Sequence, residues 1–269
     1  MKNKIQYIIL GIIVCAFTFC VMTLNINSNN NTIKTNSQVL PNKKIGWGIK
    51  RAKDYQTPDL GTENLKILEE NQGIGIGDTN LNKVYLTFDE GYEAGYTEKI
   101  LETLKNNNVK AAFFITAHYV NSQPDLVKRM IDEGHIVGNH TVNHKSMPDI
   151  SDEEIKKEIM NLHQSIYEKY GYEMKYIRPP RGEFSERTLN LSQSLGYKNV
   201  MWSFAYVDWE DNKQPSHETA LEKIALNLHN GEIMLLHATS KTNSEIMAEM
   251  IKKVREQGYE FRSIDDFVQ

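Results

Sequence analysis

Cysteine is almost absent from this chain of 269 residues, and its only two copies, Cys15 and Cys20, lie in one apolar run near the amino terminus. The remainder of the sequence therefore cannot contain a disulfide framework, a cysteine nucleophile or a cysteine-ligated zinc site. An excess of charge of one sign is missing too, because 31 basic and 35 acidic side chains leave a formal charge of −4. This balance gives no reason to expect nucleic acid as a partner.

The rest of the composition is typical of a folded protein. Hydrophobic residues make up 40% of the chain and charged residues 25%, which excludes disorder throughout and a collagen-like fibre. The length suits one large domain or two small ones.

The amino terminus has the pattern of an export segment. Lys2 and Lys4 precede an apolar stretch from Ile5 to Leu24, and about 20 apolar residues are enough to cross a bilayer as a helix. The two lysines favour a cytoplasmic amino end, so the remainder is expected outside. A membrane anchor and a cleaved signal peptide both remain open. We divide the chain into this anchor or signal (1–24), a flexible polar spacer (25–42), an extension packed on the main domain (43–79) and the main domain itself (80–269).

The main domain alternates strand and helix patterns. We predict seven strands, over residues 83–88, 111–116, 135–139, 176–178, 199–204, 233–237 and 259–263. We predict helices over 97–107, 124–133, 151–170, 185–195, 216–229 and 243–257. Repeated strand–helix units predict an α/β fold with a parallel sheet, either a barrel or a doubly wound sheet. In both, the loops after the carboxyl ends of the strands build the functional site.

Polar side chains collect after those strands. In chain order they are Asp89 and Glu90, His140 and His144, Arg178 and Arg181, Asp208 and Trp209, and His237. Adjacent carboxylates are costly unless a cation or an arginine lies between them, and two histidines four residues apart can share a metal ion. A histidine at the tip of an apolar strand suits proton transfer near neutral pH.

Each signal also has an ordinary structural explanation, such as a solvated turn, a surface histidine or a packed tryptophan. Their order along successive strand ends favours one shared site. The remaining histidines lack such company, and we interpret them as structural or surface residues: His118, His135, His163, His217 and His229.

Taken in order, these motifs resemble the polysaccharide deacetylase domain (NodB homology, carbohydrate esterase family 4) over about residues 80–267. The matching stretches are TFDEG at 87–91, HTVNH at 140–144, RPPRG at 178–182, DW at 208–209 and LLH at 235–237. Residues 77–79, 91–97, 204–209 and 237–240 are most similar to the delta-lactam-biosynthetic N-acetylmuramic acid de-N-acetylases of endospore formers. The resemblance implies a distorted (β/α)7-type barrel, here preceded by the N-terminal hydrophobic helix.

The resemblance also implies roles for the site residues. It makes Asp89 the general base, His237 the general acid, and Arg178 and Asp208 the residues that orient them. It makes Glu90, His140 and His144 the ligands of a divalent metal ion, zinc or a similar one. It makes Trp209 a wall of the substrate pocket, and we expect Arg181 to bind the lactyl carboxylate of muramic acid. Two positions depart from the family pattern, because Glu90 replaces the usual aspartate and Ala238 stands where an aspartate often follows the last histidine.

The function implied is removal of acetate from N-acetylmuramic acid in peptide-stripped peptidoglycan, which allows muramic δ-lactam to form in spore cortex during sporulation. The implied partners are glycan strands, a membrane through the N-terminal segment, and an upstream muramoyl-alanine amidase that prepares the substrate. The enzyme would act outside the cytoplasm, either anchored or secreted. Two alternatives stay open: a deacetylase of N-acetylglucosamine in peptidoglycan or chitin-like glycan, and an inactive glycan-binding domain.

Overall fold

The computed structural model describes residues 40–52 and 56–268. The predicted hydrophobic helix of residues 1–24 and most of the predicted spacer lie outside the described residues. Within the described ranges, no helix is both long and apolar enough to cross a membrane.

A parallel sheet forms the centre of the protein. The strands are β1 (Ile45–Gly46), β2 (Lys83–Glu90), β3 (Ala112–Ile115), β4 (Ile136–Asn139), β5 (Tyr176–Ile177), β6 (Glu183–Phe184), β7 (Lys198–Asn199), β8 (Phe204–Ala205), β9 (Glu232–His237) and β10 (Glu260–Phe261). The sheet has the order β7-β5-β4-β3-β2-β9-β8, with β10 beside the start of β2. Its strand pairs are parallel. Since β7 and β8 do not pair with each other among the described residues, the sheet is a half-barrel, and the predicted α/β fold with parallel strands is confirmed.

Eight α-helices of the described chain connect and flank these strands. They are α1 (Thr62–Glu70), α2 (Thr97–Asn106), α3 (Ala117–Ser122), α4 (Pro124–Asp132), α5 (Asp152–Tyr170), α6 (Glu186–Ser194), α7 (His217–Asn227) and α8 (Lys241–Glu256). Local sequence explains several of their ends. Ser151 and Glu154 form a capping box at the start of α5, as their spacing predicts.

The side chains of β2 alternate between the two faces of the sheet, as they do in any strand. Val84, Leu86 and Phe88 pack into the large core between the sheet and the helices. Tyr85 belongs to a separate apolar cluster on the opposite face. Asp89 lies on the same face as Tyr85, at the carboxyl end of the strand, next to the ends of β3 and β9.

The predicted strand over residues 199–204 is in fact two strands. Its first residue, Asn199, belongs to β7 at one edge of the sheet, and its last residue, Phe204, belongs to β8 at the other. Between them the chain crosses the half-barrel, because Met201 N–H donates to the carbonyl of Ile74 (2.8 Å) and Ser203 N–H to that of Ile233 (3.0 Å). An apolar extended run looks the same in sequence whether it stays in one strand or crosses between two.

The sequence pattern also missed ordered structure before the main domain. Within residues 43–79, where no period was visible, α1 forms and β1 pairs antiparallel with β6. Trp47 is buried there, and its indole N–H donates to the carbonyl of Trp202 at 2.8 Å. The extension therefore contacts β6, which directly follows the RPPRG stretch of residues 178–182, and the segment at Trp202.

Candidate active site

A cavity of about 1060 Å³ lies at the carboxyl ends of the strands. Six of the nine predicted site residues line it: Asp89, His140, His144, Arg181, Trp209 and His237. Arg178 and Asp208 lie directly behind this wall, each bonded to a residue that lines it. Glu90 is the one predicted site residue that neither lines the cavity nor is bonded to a lining residue through its side chain.

The carboxylate of Asp89 is held by a fully buried arginine. Arg178 donates from Nη1 to Asp89 Oδ1 at 2.8 Å and from Nη2 to Thr87 Oγ1 at 2.9 Å, while its guanidinium stacks 4.2 Å above the Phe114 ring. Burial opposes ionisation of Asp89, but the charge and hydrogen bond of Arg178, together with interactions with His140 and His237, outweigh it and hold the pKa of this carboxyl below its usual range. Asp89 is therefore a charged acceptor facing the cavity.

The surroundings of His237, in contrast to those of Asp89, favour the protonated form of the side chain. Its Nδ1 lies 2.7 Å from Asp208 Oδ1, and its ring meets that of Trp209 edge-on with centroids 5.3 Å apart. Burial opposes protonation, but the hydrogen bond and charge of Asp208, together with the charge of Asp89, outweigh it and raise the pKa of His237. Since Nδ1 faces a carboxylate, Nε2 is the nitrogen left for the cavity.

The imidazoles of His140 and His144 pack edge-on against each other, with ring centroids 4.7 Å apart. His140 Nδ1 donates to the carbonyl of Arg178 at 2.8 Å, which leaves His140 Nε2 as an acceptor, 3.5 Å from Asp89 Oδ2. Burial lowers the pKa of His140. Burial and the neighbouring His140 lower that of His144 to about 4. Both rings are thus neutral near pH 7 and present nitrogen lone pairs.

The loop that carries these histidines is strained and braced from behind. Thr141 and His144 have positive φ angles of 66° and 54°, which are uncommon for residues with a side chain. Glu158 of α5 accepts from the backbone N–H and from the side-chain amide of Asn143, both at 2.7 Å. The buried carboxylate of Glu158 thereby fixes the conformation that turns His144 into the cavity.

Glu90 faces the helix side of the sheet. Its carboxyl is fully buried, and neither oxygen has a hydrogen-bond partner. Burial and the charges of Glu93 and Asp89 raise its pKa well above the usual range. Among the described residues, no group of three or more His, Cys, Asp or Glu side chains could hold a metal ion. Consecutive residues of a strand point to opposite faces, so Glu90 does not share the cavity with His140 and His144 in this arrangement, and its role as a metal ligand stays a prediction.

Arg181 lies on the cavity wall in the left-handed region, with φ 60°. Gly182 follows at φ 66°, and a Cβ there would come within 2.7 Å of the Trp202 ring. This tight turn between Pro180 and β6 projects the exposed Arg181 side chain from a fixed backbone. A positive φ at this position is a feature that the sequence signal of two prolines does not reveal.

Sequence reasoning missed several residues that line the cavity. His118, interpreted above as structural or surface, lines it at the start of α3, and Tyr92 and Thr239 line it from the loops after β2 and β9. Each follows a strand end, and that position was the available signal. Arg51 lines it from the extension, and no motif in the sequence marks this residue.

Three comparisons bear on this arrangement. The model of the polysaccharide deacetylase family matches residues 76–200. The peptidoglycan-N-acetylmuramic acid deacetylase PdaA of Bacillus subtilis is 41% identical over 233 residues, which are 86% of this chain and 89% of that protein. An uncharacterized 30.6 kDa protein of Geobacillus stearothermophilus is 47% identical over 233 residues, 86% of this chain and 88% of its own length.

A solved structure gives the same result. The structure of Bacillus subtilis PdaA, described as a family 4 carbohydrate esterase, superposes with a TM-score of 0.83 at 41% identity and covers 85% of this chain and 98% of the other. Deacetylases of this family are metal-dependent in general.

Proposed function

This chain belongs to the polysaccharide deacetylase family, and on that premise we propose that it removes acetate from N-acetylmuramic acid in peptide-stripped peptidoglycan. It is a hydrolase of amide carbon–nitrogen bonds. The observation that carries the proposal is the presence, in one cavity, of an ionised Asp89 fixed by Arg178 and a protonatable His237 fixed by Asp208.

The two groups have complementary proton affinities. Asp89, with its lowered pKa, accepts a proton from a water molecule whose oxygen attacks the acetamide carbon. His237, with its raised pKa, donates a proton to the amide nitrogen as the carbon–nitrogen bond breaks. Acetate and a free amine leave, and no covalent intermediate forms. Environments that push two pKa values apart are how one site supplies both an acid and a base. We assign the developing oxyanion to the backbone N–H of Arg181, as the family resemblance implies.

We propose that Arg181 recognises the muramic acid itself. Muramic acid without its peptide carries a free lactyl carboxylate, and a guanidinium can bind a carboxylate through two parallel hydrogen bonds. Arg181 is exposed on the cavity wall. Trp209 is 48% exposed on the same cavity, and its indole face offers a surface on which a sugar ring can pack.

The cavity itself supplies two of the three predicted ligands, His140 and His144, because Glu90 lies on the other face. A divalent ion, when bound, would polarise the acetamide carbonyl. We propose that this chain holds a divalent ion, zinc or a similar one, weakly through His140 and His144, whose neutral imidazoles suit such an ion. Calorimetric titration of the purified protein with zinc checks this, and wild-type affinity in a His144→Ala variant would contradict it.

The free amine left by the reaction lies on the same sugar as the lactyl carboxyl, so closure to muramic δ-lactam benefits from a high effective concentration. We propose that the product serves lactam formation in spore cortex and that a muramoyl-alanine amidase supplies the peptide-free substrate. The substrate is outside the cytoplasm, which agrees with export through the segment of residues 1–24 as an anchor or a cleaved signal.

Acetate release from defined glycans tests the proposal. We expect release from peptide-free muramoyl glycan, little from the same glycan with its peptides, and little from N-acetylglucosamine oligomers. Release should fall when a chelator is added and return with zinc. Preferential release from N-acetylglucosamine oligomers would favour that rival substrate, and no release from any glycan, with binding retained, would favour the inactive glycan-binding alternative.

A further inference from the structure

We propose that Asn243 is a positioning residue of the reaction, which holds the Asp208 carboxylate in the orientation that His237 requires. The inference rests on the proposed function, in which His237 donates the proton to the leaving amine. Asn243 is fully buried at the third position of α8, and neither the motifs nor the cavity lining includes it.

The hydrogen bonds to Asp208 show why this residue matters. Oδ1 of Asp208 accepts from His237 Nδ1 at 2.7 Å, and Oδ2 accepts from the backbone N–H of His237 at 2.9 Å. Asn243 Nδ2 donates to the same Oδ2 at 2.6 Å. Among the described residues, Asn243 is thus the one donor to this buried carboxylate that comes from outside the Asp208–His237 pair.

The amide of Asn243 has one possible orientation. Its second N–H points to the carbonyl of His237 at 3.3 Å, and its oxygen accepts from the hydroxyl of Tyr206. Burial and the charge of Asp208 raise the pKa of Tyr206, so this hydroxyl stays a neutral donor. Rotating the amide by half a turn would place its oxygen against the Asp208 carboxylate, where two acceptors would repel each other.

Further hydrogen bonds close a ring around the carboxylate. The backbone N–H of Asn243 donates to Ser240 Oγ at 3.1 Å, and Ser240 Oγ donates to Gln214 Oε1 at 2.6 Å. Gln214 Nε2 then donates to the carbonyl of Asp208 at 2.6 Å. Both the side chain and the backbone of Asp208 are therefore tied to the first turn of α8. A network whose members are all satisfied is rigid.

A fixed carboxylate determines how the imidazole works. The carboxylate selects the tautomer and ring orientation that leave Nε2 for the substrate, as in other carboxylate–histidine pairs. The remaining charged or titratable groups that act on His237 are Asp89 and Arg178, and His140 and His144 across the cavity. A change at Asn243 leaves all four in place, so its effect can be assigned to Asp208.

The experiment compares Asn243→Ala with Asn199→Ala. Asn199 is an equally buried asparagine whose amide bonds to Ser192, away from the cavity. For Asn243→Ala we expect kcat on peptide-free muramoyl glycan to fall about 10- to 100-fold with KM unchanged, less than the roughly 10⁴-fold lost when the carboxylate of such a pair is itself replaced. Asn199→Ala should lose stability but keep its kcat.

The proton affinity of His237 gives a second readout that needs no substrate. Without the Asn243 donor, Asp208 keeps more of its charge towards the imidazolium, so the NMR titration midpoint of His237 and the basic limb of the kcat profile should both move to higher pH. Tyr206→Phe frees the amide oxygen and should shift both in the same direction by less. If Asn243→Ala does not fold, Tyr206→Phe is the variant that tests the proposal.

The outcomes separate this inference from the proposed function. An active wild-type enzyme whose Asn243→Ala or Tyr206→Phe variant keeps the wild-type kcat and His237 midpoint would overturn the positioning role alone. A wild-type protein that releases no acetate from any glycan would overturn the proposed function, whereas the shift of the His237 midpoint would still measure the coupling through Asp208.

Discussion

Asp89 and Glu90 are consecutive carboxyl residues at the end of one strand, yet they lie in different layers of the protein. Asp89 faces the cavity, accepts a hydrogen bond from Arg178 and has a lowered pKa. Glu90 faces the helices, has no hydrogen-bond partner and has a pKa raised well above the usual range. Glu90 is fully buried and the side chain of Asp89 is only 12% exposed, so burial alone does not decide whether such a group is charged.

The groups that surround each carboxyl decide whether it is charged. The side of the sheet at Asp89 receives cationic and hydrogen-bonding groups from neighbouring strand ends, and these offset the cost of removing a charge from water. The side at Glu90 is apolar core, with Phe88 and Tyr119 in the same cluster, and offers no such groups. A neutral carboxyl is the stable form there. Substitutions at these two carboxyls and at the arginines of the cavity test this contrast, and we expect the largest effect at Asp89 and the smallest at Glu90.

Replacing Asp89 by Asn should remove most of the activity. The amide has nearly the same shape but cannot accept the proton of the attacking water, and general base catalysis contributes about 10²- to 10⁴-fold. We expect acetate release to fall by about 1000-fold, while circular dichroism shows an intact fold. Loss of less than tenfold would mean that another group is the base.

Replacing Arg178 by Lys keeps the positive charge but loses the forked geometry. The single nitrogen of lysine cannot span the four partners that the guanidinium contacts, Asp89, Thr87 and the carbonyls of Val200 and Met201, so the carboxylate becomes less fixed. A misplacement of about 1 Å can cost roughly 100-fold in rate. We expect kcat to fall by that order, with urea unfolding measured alongside to separate the loss of rate from a loss of stability.

Replacing Arg181 by Asn should affect one substrate and spare another. Asparagine tolerates the positive φ at this position, so the turn is kept while the guanidinium is lost. A hydrogen bond to a charged group is worth about 1.5–3 kcal/mol, so kcat/KM for peptide-free muramoyl glycan should fall about 10- to 150-fold. Release from N-acetylglucosamine oligomers should stay at its initial low level, and equal losses on both substrates would count against carboxylate recognition.

Replacing Glu90 by Gln is the matched control for Asp89→Asn and should have the smallest effect on activity, within about threefold. Its effect on stability should depend on pH. The pKa of Glu90 is raised in the folded protein. Burying Glu90 therefore reduces the free energy of unfolding of the wild type least at pH values below the ordinary pKa of a glutamate. The wild type loses stability as pH rises towards the folded-state pKa.

Glutamine has no proton to lose. The unfolding midpoint of Glu90→Gln should therefore equal that of the wild type near pH 4 and exceed it increasingly at pH 7 to 8. A large loss of activity together with lost zinc affinity would contradict the assignment of Glu90 to the helix layer and restore it as a ligand.

Much of this arrangement follows from sequence patterns. Alternating strand and helix periods predicted the parallel sheet, and the ends of strands located Asp89, His140 and His237 at one edge. These predictions succeed because the carboxyl ends of parallel strands meet at the same edge of a sheet. The same period of two that predicted the strands also puts Glu90 on the face opposite Asp89, which the assignment of Glu90 from the motif did not take into account.

Other features depend on contacts between distant segments and have no local signal. The sequence does not reveal that Glu158 braces the loop of His144, nor that Asn243 bonds to Asp208. Arg51 reaches the cavity wall from a segment without visible periodicity. Each of these side chains acts through a partner at least 15 residues away or through tertiary packing, and a pattern in a short window does not record such pairings.

The pairing of β1 with β6 ties the N-terminal extension to the substrate-binding side of the cavity and not to the proton-transfer residues. Trp47 N–H donates to the carbonyl of Gly182 at 2.8 Å, so a segment upstream of residue 80 sets the shape of the turn that carries Arg181. The proton-transfer groups Asp89 and His237 do not depend on that segment for any hydrogen bond. Evolution could therefore retune which sugar is chosen by altering a stretch of the gene that leaves the bond-breaking step untouched.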